Sequence, residues 1–146
     1  MTETALVELA LEARKNSYSP YSGFQVGAAL LSRSGKAYTG CNIENASYSP
    51  TNCAERTAFF KAVSEGEREF TAIAIVGGTR QAGAADFCAP CGVCRQVMAE
   101  FCDPERFQII LGNERLEYKV YSLAELLPES FGKESFLPDC EEEDLQ

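Results

Sequence analysis

The segment Phe70-Thr-Ala-Ile-Ala-Ile-Val76 is a continuous apolar run of strand length. Such a run, rich in Ile and Val, is typical of a central strand that is covered on both faces. Before it, residues 53–65 have the apolar spacing of a helix, with Thr51 or Asn52 as its predicted N-cap. After it, Pro90 suits the first turn of a second helix. A strand between two helices favours an α/β layered domain.

The remaining segments add to this layered pattern. Residues 3–16 predict an amphipathic first helix, residues 77–89 a loop rich in Gly and Ala, and Ser122-Leu-Ala-Glu125 a capping box that opens a last helix. Four further strands are predicted, over residues 24–31, 36–42, 107–111 and 116–121. The sequence therefore predicts a mixed sheet of five strands that is covered by helices.

Length and charge restrict the class of protein. The chain has 146 residues, with 13 Lys and Arg against 22 Asp and Glu, and this net charge of −9 argues against nucleic-acid binding. We expect residues 1–132 to form one compact domain and the strongly acidic residues 133–146 to form a solvated tail. No apolar run approaches the roughly 18 residues that cross a bilayer. The start of the chain is acidic and lacks the basic region that precedes the apolar stretch of a secretory signal peptide. We therefore expect a cytoplasmic protein without a membrane partner.

The chain has seven cysteines and no histidine. The absence of histidine excludes a Ser/His or Cys/His catalytic pair and any metal site that contains histidine. In a reducing compartment, an odd number of cysteines favours free thiols or metal ligands over disulfides. Carboxylates and thiolates are therefore the groups left to carry chemistry.

Two of the predicted helices begin with cysteines. Cys53 opens one, and Cys91 and Cys94 open the other. Helix N-termini favour thiolate over thiol, and a C-x-x-C spacing lets two sulfurs bind one tetrahedral zinc. Three thiolates leave one position open, as a catalytic zinc requires. Glu55 follows Cys53 by two residues and is predicted to act as the general acid and base beside the metal.

Cys88 keeps two other interpretations open. Together with Cys53, Cys91 and Cys94 it forms a set of four thiols that is able to close a structural zinc site without catalysis. Alternatively, the C-x-x-C pair is the redox pair of a thiol-disulfide oxidoreductase. In such an enzyme Cys53 and Glu55 would have no role. Against the closed site, Pro90 separates Cys88 from the helix turn, and such a site gives Glu55 no role.

Several motifs carry a family resemblance. Cys53-Ala54-Glu55 and Pro90-Cys91-Gly-Val-Cys94 resemble the signature of the zinc-dependent nucleoside and base deaminases. Residues 21–29, 40–46 and 125–131 resemble the small homotetrameric cytidine deaminases in particular. The resemblance runs from the first helix to Gly132, with its motifs in the same order.

This resemblance implies a fold and a reaction. The fold would be a three-layer α/β/α domain around a mixed five-stranded sheet, assembled as a homotetramer with one Zn²⁺ per chain. The reaction would be hydrolytic deamination of free cytidine and deoxycytidine to uridine and deoxyuridine in pyrimidine salvage, in which a water activated by zinc attacks C4 and ammonia leaves. A related aminonucleoside, such as a nucleoside antibiotic, is the alternative substrate.

The resemblance also implies roles for ten residues of this sequence. Cys53, Cys91 and Cys94 would hold the zinc, and Glu55 would shuttle protons. Contacts with the substrate would come from the N–H of Ala54 to the pyrimidine O2, from Asn42 and Glu44 to the sugar 3′-hydroxyl, from Phe24 to the base, and from Phe131 of a neighbouring subunit. Arg56 would donate hydrogen bonds to the cysteine sulfurs and offset their charge.

Overall fold

The computed structural model describes residues 1–136. In chain order the elements are α1 (Glu3–Arg14), β1 (Phe24–Ser32), β2 (Ala37–Cys41), α2 (Ala54–Ser64), β3 (Phe70–Thr79), α3 (Gly92–Phe101), β4 (Gln108–Gly112), β5 (Tyr118–Ser122), α4 (Leu123–Leu126) and a 3₁₀ turn at Lys133–Ser135. Most of the predicted acidic tail, residues 137–146, lies outside the described residues, so the division at residue 132 stays a prediction. No helix within residues 1–136 is long and apolar enough to cross a membrane.

The five strands form one mixed sheet in the order β2-β1-β3-β4-β5. β1 pairs antiparallel with β2 and with β3, and β4 pairs antiparallel with β5. The central pair of β3 and β4 is parallel, and α3 lies in the connection between them. Parallel neighbours need such a crossover. The predicted mixed five-stranded sheet is confirmed.

Helices cover both faces of the sheet and create two cores. In β3 the buried side chains alternate between the faces, because successive residues of a strand point in opposite directions. Ala74 and Val76 pack with Leu6 and Val7 of α1. Ile73 and Ile75 belong to the other core, which includes Phe59 and Ala58 of α2, Met98 of α3 and Phe107. The fold is therefore the predicted three-layer α/β/α arrangement.

The predicted N-cap of α2 was wrong. Cys53 itself is the N-cap, with an extended backbone at φ −74° and ψ 156°, and its side chain makes no capping hydrogen bond. The Asn52 side chain donates to Thr57 Oγ1 at 3.1 Å instead of capping the helix. The thiol of Cys53 is thus placed at the helix end without being used to cap it.

The helix predicted to start at Pro90 begins two residues later. Cys91 is the N-cap of α3, again extended at φ −69° and ψ 166°, and Cys94 lies in the first turn. The two helices therefore begin alike, each with a cysteine N-cap whose side chain makes no capping bond.

The loop predicted from residue 77 also begins later, because β3 continues to Thr79. Gly77 and Gly78 pair with Val26 and Gln25 of β1. Glycine carries no side chain to extend the apolar pattern, so the sequence does not reveal these pairings. A Cβ on Gly78 would lie 1.9 Å from the carbonyl oxygen of Gly83, where the loop folds back onto the strand.

Candidate functional site

The N-terminal ends of α2 and α3 bring three thiols together. Cys53 Sγ lies 3.8 Å from Cys91 Sγ, and Cys91 Sγ lies 3.5 Å from Cys94 Sγ. All three sulfurs lie within 4.8 Å of one another. A tetrahedral zinc with Zn–S bonds of about 2.3 Å sets its sulfurs about 3.8 Å apart. The donor type and the spacing therefore fit one zinc ion.

Hydrogen bonds within this cluster favour the thiolate form of Cys53 and the thiol form of Cys94. Hydrogen bonds from the thiol of Cys94 and from Arg56 lower the pKa of Cys53. The hydrogen bond that the Cys94 thiol donates to Cys53 raises the pKa of Cys94. Arg56 Nη2 donates to Cys53 Sγ at 3.3 Å, and this bond raises the pKa of the guanidinium. The positive ends of both helices add to the stabilisation of negative charge here.

Glu55 is a buried carboxyl beside the thiols, with 4% of its surface exposed. Burial raises its pKa to about 7, and the nearby charge of Cys53 acts in the same direction. Loss of water around a carboxylate penalises the charged form, which explains the direction of the pKa shift. A carboxyl of this kind can both accept and donate a proton near neutral pH.

A cleft of about 270 Å³ adjoins the thiols and collects most of the predicted site residues. Its walls come from the start of β1, the segment after β2, the start of α2 and the segment before α3. The lining residues are Ser22, Phe24, Val26, Asn42, Glu44, Thr51, Asn52, Cys53, Ala54, Glu55, Cys88, Ala89 and Cys91. Cys94 is buried within the thiol cluster, and Arg56 reaches that cluster through Cys53.

The amide of Asn42 is held by β1. Its Oδ1 accepts hydrogen bonds from Val26 N at 2.9 Å and from Ser17 Oγ, and its Nδ2 donates to Phe24 O at 2.8 Å. An amide NH₂ has two N–H groups, so one of them is left for a ligand. Asn42 is therefore oriented in advance as a hydrogen-bond donor in the cleft.

The carboxylate of Glu44 is held by the segment before β1. Its Oε1 accepts from the backbone N–H of Tyr21 at 2.9 Å and of Ser22 at 3.1 Å, and its Oε2 accepts from Ser22 Oγ. The hydroxyl bond is the main cause that lowers the pKa of Glu44. No role was predicted for Ser22 from the sequence. Its position in the motif Tyr21-Ser-Gly-Phe24 is the signal that could have identified it as a site residue.

Cys88 lines the cleft. Among residues 1–136, the thiols close enough to share a metal ion are those of Cys53, Cys91 and Cys94, and Cys88 is not one of them. Its side chain packs against the backbone of β3, since a Cβ on Gly77 would lie 2.9 Å from Cys88 Sγ. Burial raises the pKa of its thiol to about 11. The four-thiol set considered from the sequence is thus not assembled in this structure.

Phe131 lies elsewhere on the chain surface. The residue is 58% exposed, and its ring meets that of Phe136 edge to face, with 5.4 Å between the ring centroids. Gln96 Nε2 donates to its carbonyl oxygen at 2.8 Å. Phe131 is not among the residues that line this chain's own cleft.

Comparison with known proteins assigns the family. The profile of the cytidine and deoxycytidylate deaminase zinc-binding region matches residues 1–110. The chain belongs to this deaminase family. A protein of Halalkalibacterium halodurans named cytidine deaminase is 50% identical over 134 residues, which are 92% of this chain and 97% of that protein. A cytidine deaminase of Sporosarcina psychrophila is 50% identical over 88% of this chain and 90% of its own length.

Structural comparison gives the same assignment. The crystal structure of cytidine deaminase from Burkholderia pseudomallei superposes with a TM-score of 0.81 at 50% identity, covering 90% of this chain and 100% of that one. Membership of this zinc-dependent deaminase family makes the protein an enzyme with a zinc cofactor. The cluster of Cys53, Cys91 and Cys94 is the group in the described chain with the donors to hold that ion.

Proposed function

We propose that this enzyme hydrolyses free cytidine and deoxycytidine to uridine and deoxyuridine, with release of ammonia. The observation that carries the proposal is the buried Glu55 beside three clustered thiols at a cleft of about 270 Å³. Relatives named cytidine deaminases, 50% identical over most of the chain, support this choice of substrate. The net charge of −9 favours a free nucleoside over a polynucleotide.

Cys53, Cys91 and Cys94 hold the zinc in this proposal. When bound there, the ion supplies Lewis acidity that makes a water molecule nucleophilic near neutral pH. Three sulfurs leave one of four tetrahedral positions for chemistry. Arg56 offsets part of the negative charge of the sulfurs through its hydrogen bond to Cys53.

Glu55 moves the protons. Its carboxylate accepts a proton from the attacking water and delivers it to N3 of the base, and a second transfer goes to the leaving amine at C4. Its burial and its pKa of about 7 suit both directions of transfer. No histidine is present in the chain to take this task.

Four residues of the cleft bind the nucleoside. Ala54 is the first residue of α2, so its N–H has no partner within the helix and is free to hold the pyrimidine O2. Asn42 and Glu44 bind the sugar 3′-hydroxyl, one as donor and the other as acceptor. Phe24, 38% exposed, packs against the base.

The active form is proposed to be a homotetramer that acts in pyrimidine salvage in the cytoplasm. Phe131 is exposed and lies outside the cleft of its own chain, which supports a role in the site of a neighbouring subunit. Each site would then need residues from two chains.

The test is an activity assay of the zinc-loaded protein with cytidine, deoxycytidine and cytosine supplied separately. Ammonia release and the change in ultraviolet absorption should appear with both nucleosides. Free cytosine should be a poor substrate, because it lacks the sugar that Asn42 and Glu44 bind. Absence of turnover with both nucleosides would refute the proposed function.

A further inference from the structure

Ser22 connects two residues of the proposed nucleoside site. Its hydroxyl donates to Glu44 Oε2 and accepts from the backbone N–H of Phe24 at 3.0 Å. Ser22 also lines the cleft beside Phe24 and Glu44. One hydroxyl therefore links the sugar-binding carboxylate to the strand that carries the base-packing ring.

The segment that carries Ser22 is anchored on both sides. Tyr18 N donates to Asn42 O at 3.0 Å, and Glu44 N donates to Tyr18 O at 2.8 Å. Gly23 has a positive φ of 68°, donates to Ser19 O at 2.9 Å and accepts from Arg80 N at 2.9 Å. The backbone of Ser22 is thus fixed relative to Glu44 independently of any ligand.

The two oxygens of Glu44 are held differently. Oε1 accepts hydrogen bonds from two backbone N–H groups. Within residues 1–136, Oε2 accepts its hydrogen bond from the Ser22 hydroxyl. A carboxylate oxygen has two acceptor positions, so Oε2 keeps one for a ligand hydroxyl while Ser22 sets its direction.

We propose that Ser22 is a positioning residue for sugar recognition: its hydroxyl orients Glu44 Oε2 so that this oxygen accepts the 3′-hydroxyl of the substrate. The inference rests on the proposed function. It predicts that Ser22 acts on binding of the sugar and leaves the proton transfers of Glu55 unaffected.

The charge state of Glu44 supports this assignment. The Ser22 hydrogen bond and the nearby charge of Arg80 both lower the pKa of the carboxyl. Glu44 therefore stays ionised near neutral pH, and an ionised carboxylate accepts hydrogen bonds more strongly than a protonated one. Tyr21 contributes through its backbone N–H.

The experiment compares cytidine with 3′-deoxycytidine in three variants of the zinc-loaded enzyme. Ser22→Ala removes the hydroxyl, and Ser22→Thr keeps it. Ser34→Ala is the matched control, because it removes another serine–glutamate hydrogen bond, from Ser34 Oγ to Glu67 Oε1 at 3.0 Å, in the turn between β1 and β2. The melting temperature of each variant verifies folding.

We expect Ser22→Ala to raise the KM for cytidine about tenfold with kcat nearly unchanged, the order of effect for a hydrogen bond to a charged group. The KM for 3′-deoxycytidine should rise much less, since that substrate has no 3′-hydroxyl to lose and is affected only through the hydrogen bond between Ser22 and Phe24 N. Ser22→Thr should restore most of the cytidine KM, and Ser34→Ala should resemble the wild type.

Equal KM increases for both substrates, a loss confined to kcat, or an unchanged cytidine KM in a folded Ser22→Ala variant would overturn the inference. These outcomes are read against a wild type that deaminates cytidine. If the wild type itself does not deaminate cytidine, the proposed function is refuted. The wild-type assay therefore distinguishes a failure of the proposed function from a failure of the inference about Ser22.

Discussion

Arg56 Nη2 donates a hydrogen bond to Cys53 Sγ across 3.3 Å. Arg56 Nε is buried and has no hydrogen-bond partner among residues 1–136. A buried N–H of a charged group without a partner is costly, and the nearby thiolates compensate it electrostatically. Arg56 and the three cysteines therefore lie together in one cluster, in which three thiolates and one guanidinium would balance the charge of a bound divalent ion.

Arg56→Ala should weaken zinc binding, because Cys53 loses the hydrogen-bond donor that lowers the pKa of its thiol, so a proton competes better with the metal for this sulfur. The expected loss of affinity is about 10–100-fold, as is usual for residues that support metal ligands. Competition with a chelating dye measures it. Arg115→Ala, which breaks an exposed pair with Glu117, is the control. Equal zinc affinity in both variants would contradict the assigned role of Arg56.

Cys88→Ala and Cys91→Ala should differ in zinc content. Cys91 belongs to the three-thiol cluster, so its loss should remove both the metal and the activity. Cys88 lines the cleft without joining that cluster, so its replacement should keep one zinc per chain and most of the activity. Metal analysis of the purified variants gives the answer, and zinc loss in Cys88→Ala would revive the closed four-thiol site.

The sequence was sufficient to predict the layers of the fold and the cysteine motif of the metal site. The apolar run that ends at Val76 marked the central strand, and the cysteine spacing placed thiols at two helix starts. It could not show that Cys88 stays outside the cluster, because that depends on how its loop packs against Gly77. It also missed Ser22, whose bond to Glu44 joins residues 22 positions apart.

Helix starts were predicted less well for a physical reason. Thr51 and Asn52 have the usual side chains of an N-cap, yet Cys53 occupies that position without a capping bond. Local preference was overridden by the packing that brings two helix ends to one cluster. Such a departure from the local rule is expected where a site is built.

Gly27→Ala should destabilise the fold strongly. A Cβ at this position of β1 would lie 2.0 Å from Ala10 O of α1, so the helix would have to move off the sheet. We expect a loss of roughly 3 kcal/mol in the free energy of unfolding, the upper part of the usual range for overpacking. Denaturant titration measures it. Gly92→Ala is the control, since a Cβ there meets no atom within 4 Å; equal effects would contradict the close packing of α1.

Phe131→Ala and Glu55→Gln should complement each other in mixed oligomers. A Phe131→Ala chain supplies an intact Glu55, and its partner supplies an intact Phe131. Packing of an aromatic ring on a nucleoside contributes about 1–3 kcal/mol, so recovery should be visible at low substrate concentration. Co-expressed variants should exceed the summed activity of the two alone. If mixed oligomers form and no excess appears, Phe131 does not serve a neighbouring site.

The most direct test of the account is uridine formation from cytidine by Glu55→Gln, normalised to zinc content and compared with the wild type. The buried carboxyl is replaced by an amide of the same shape that cannot exchange a proton. We predict one zinc per chain in both proteins and a loss of kcat of at least about 10²–10⁴-fold in the variant, the contribution of a general acid and base. Turnover near the wild-type rate at equal zinc content would contradict the account.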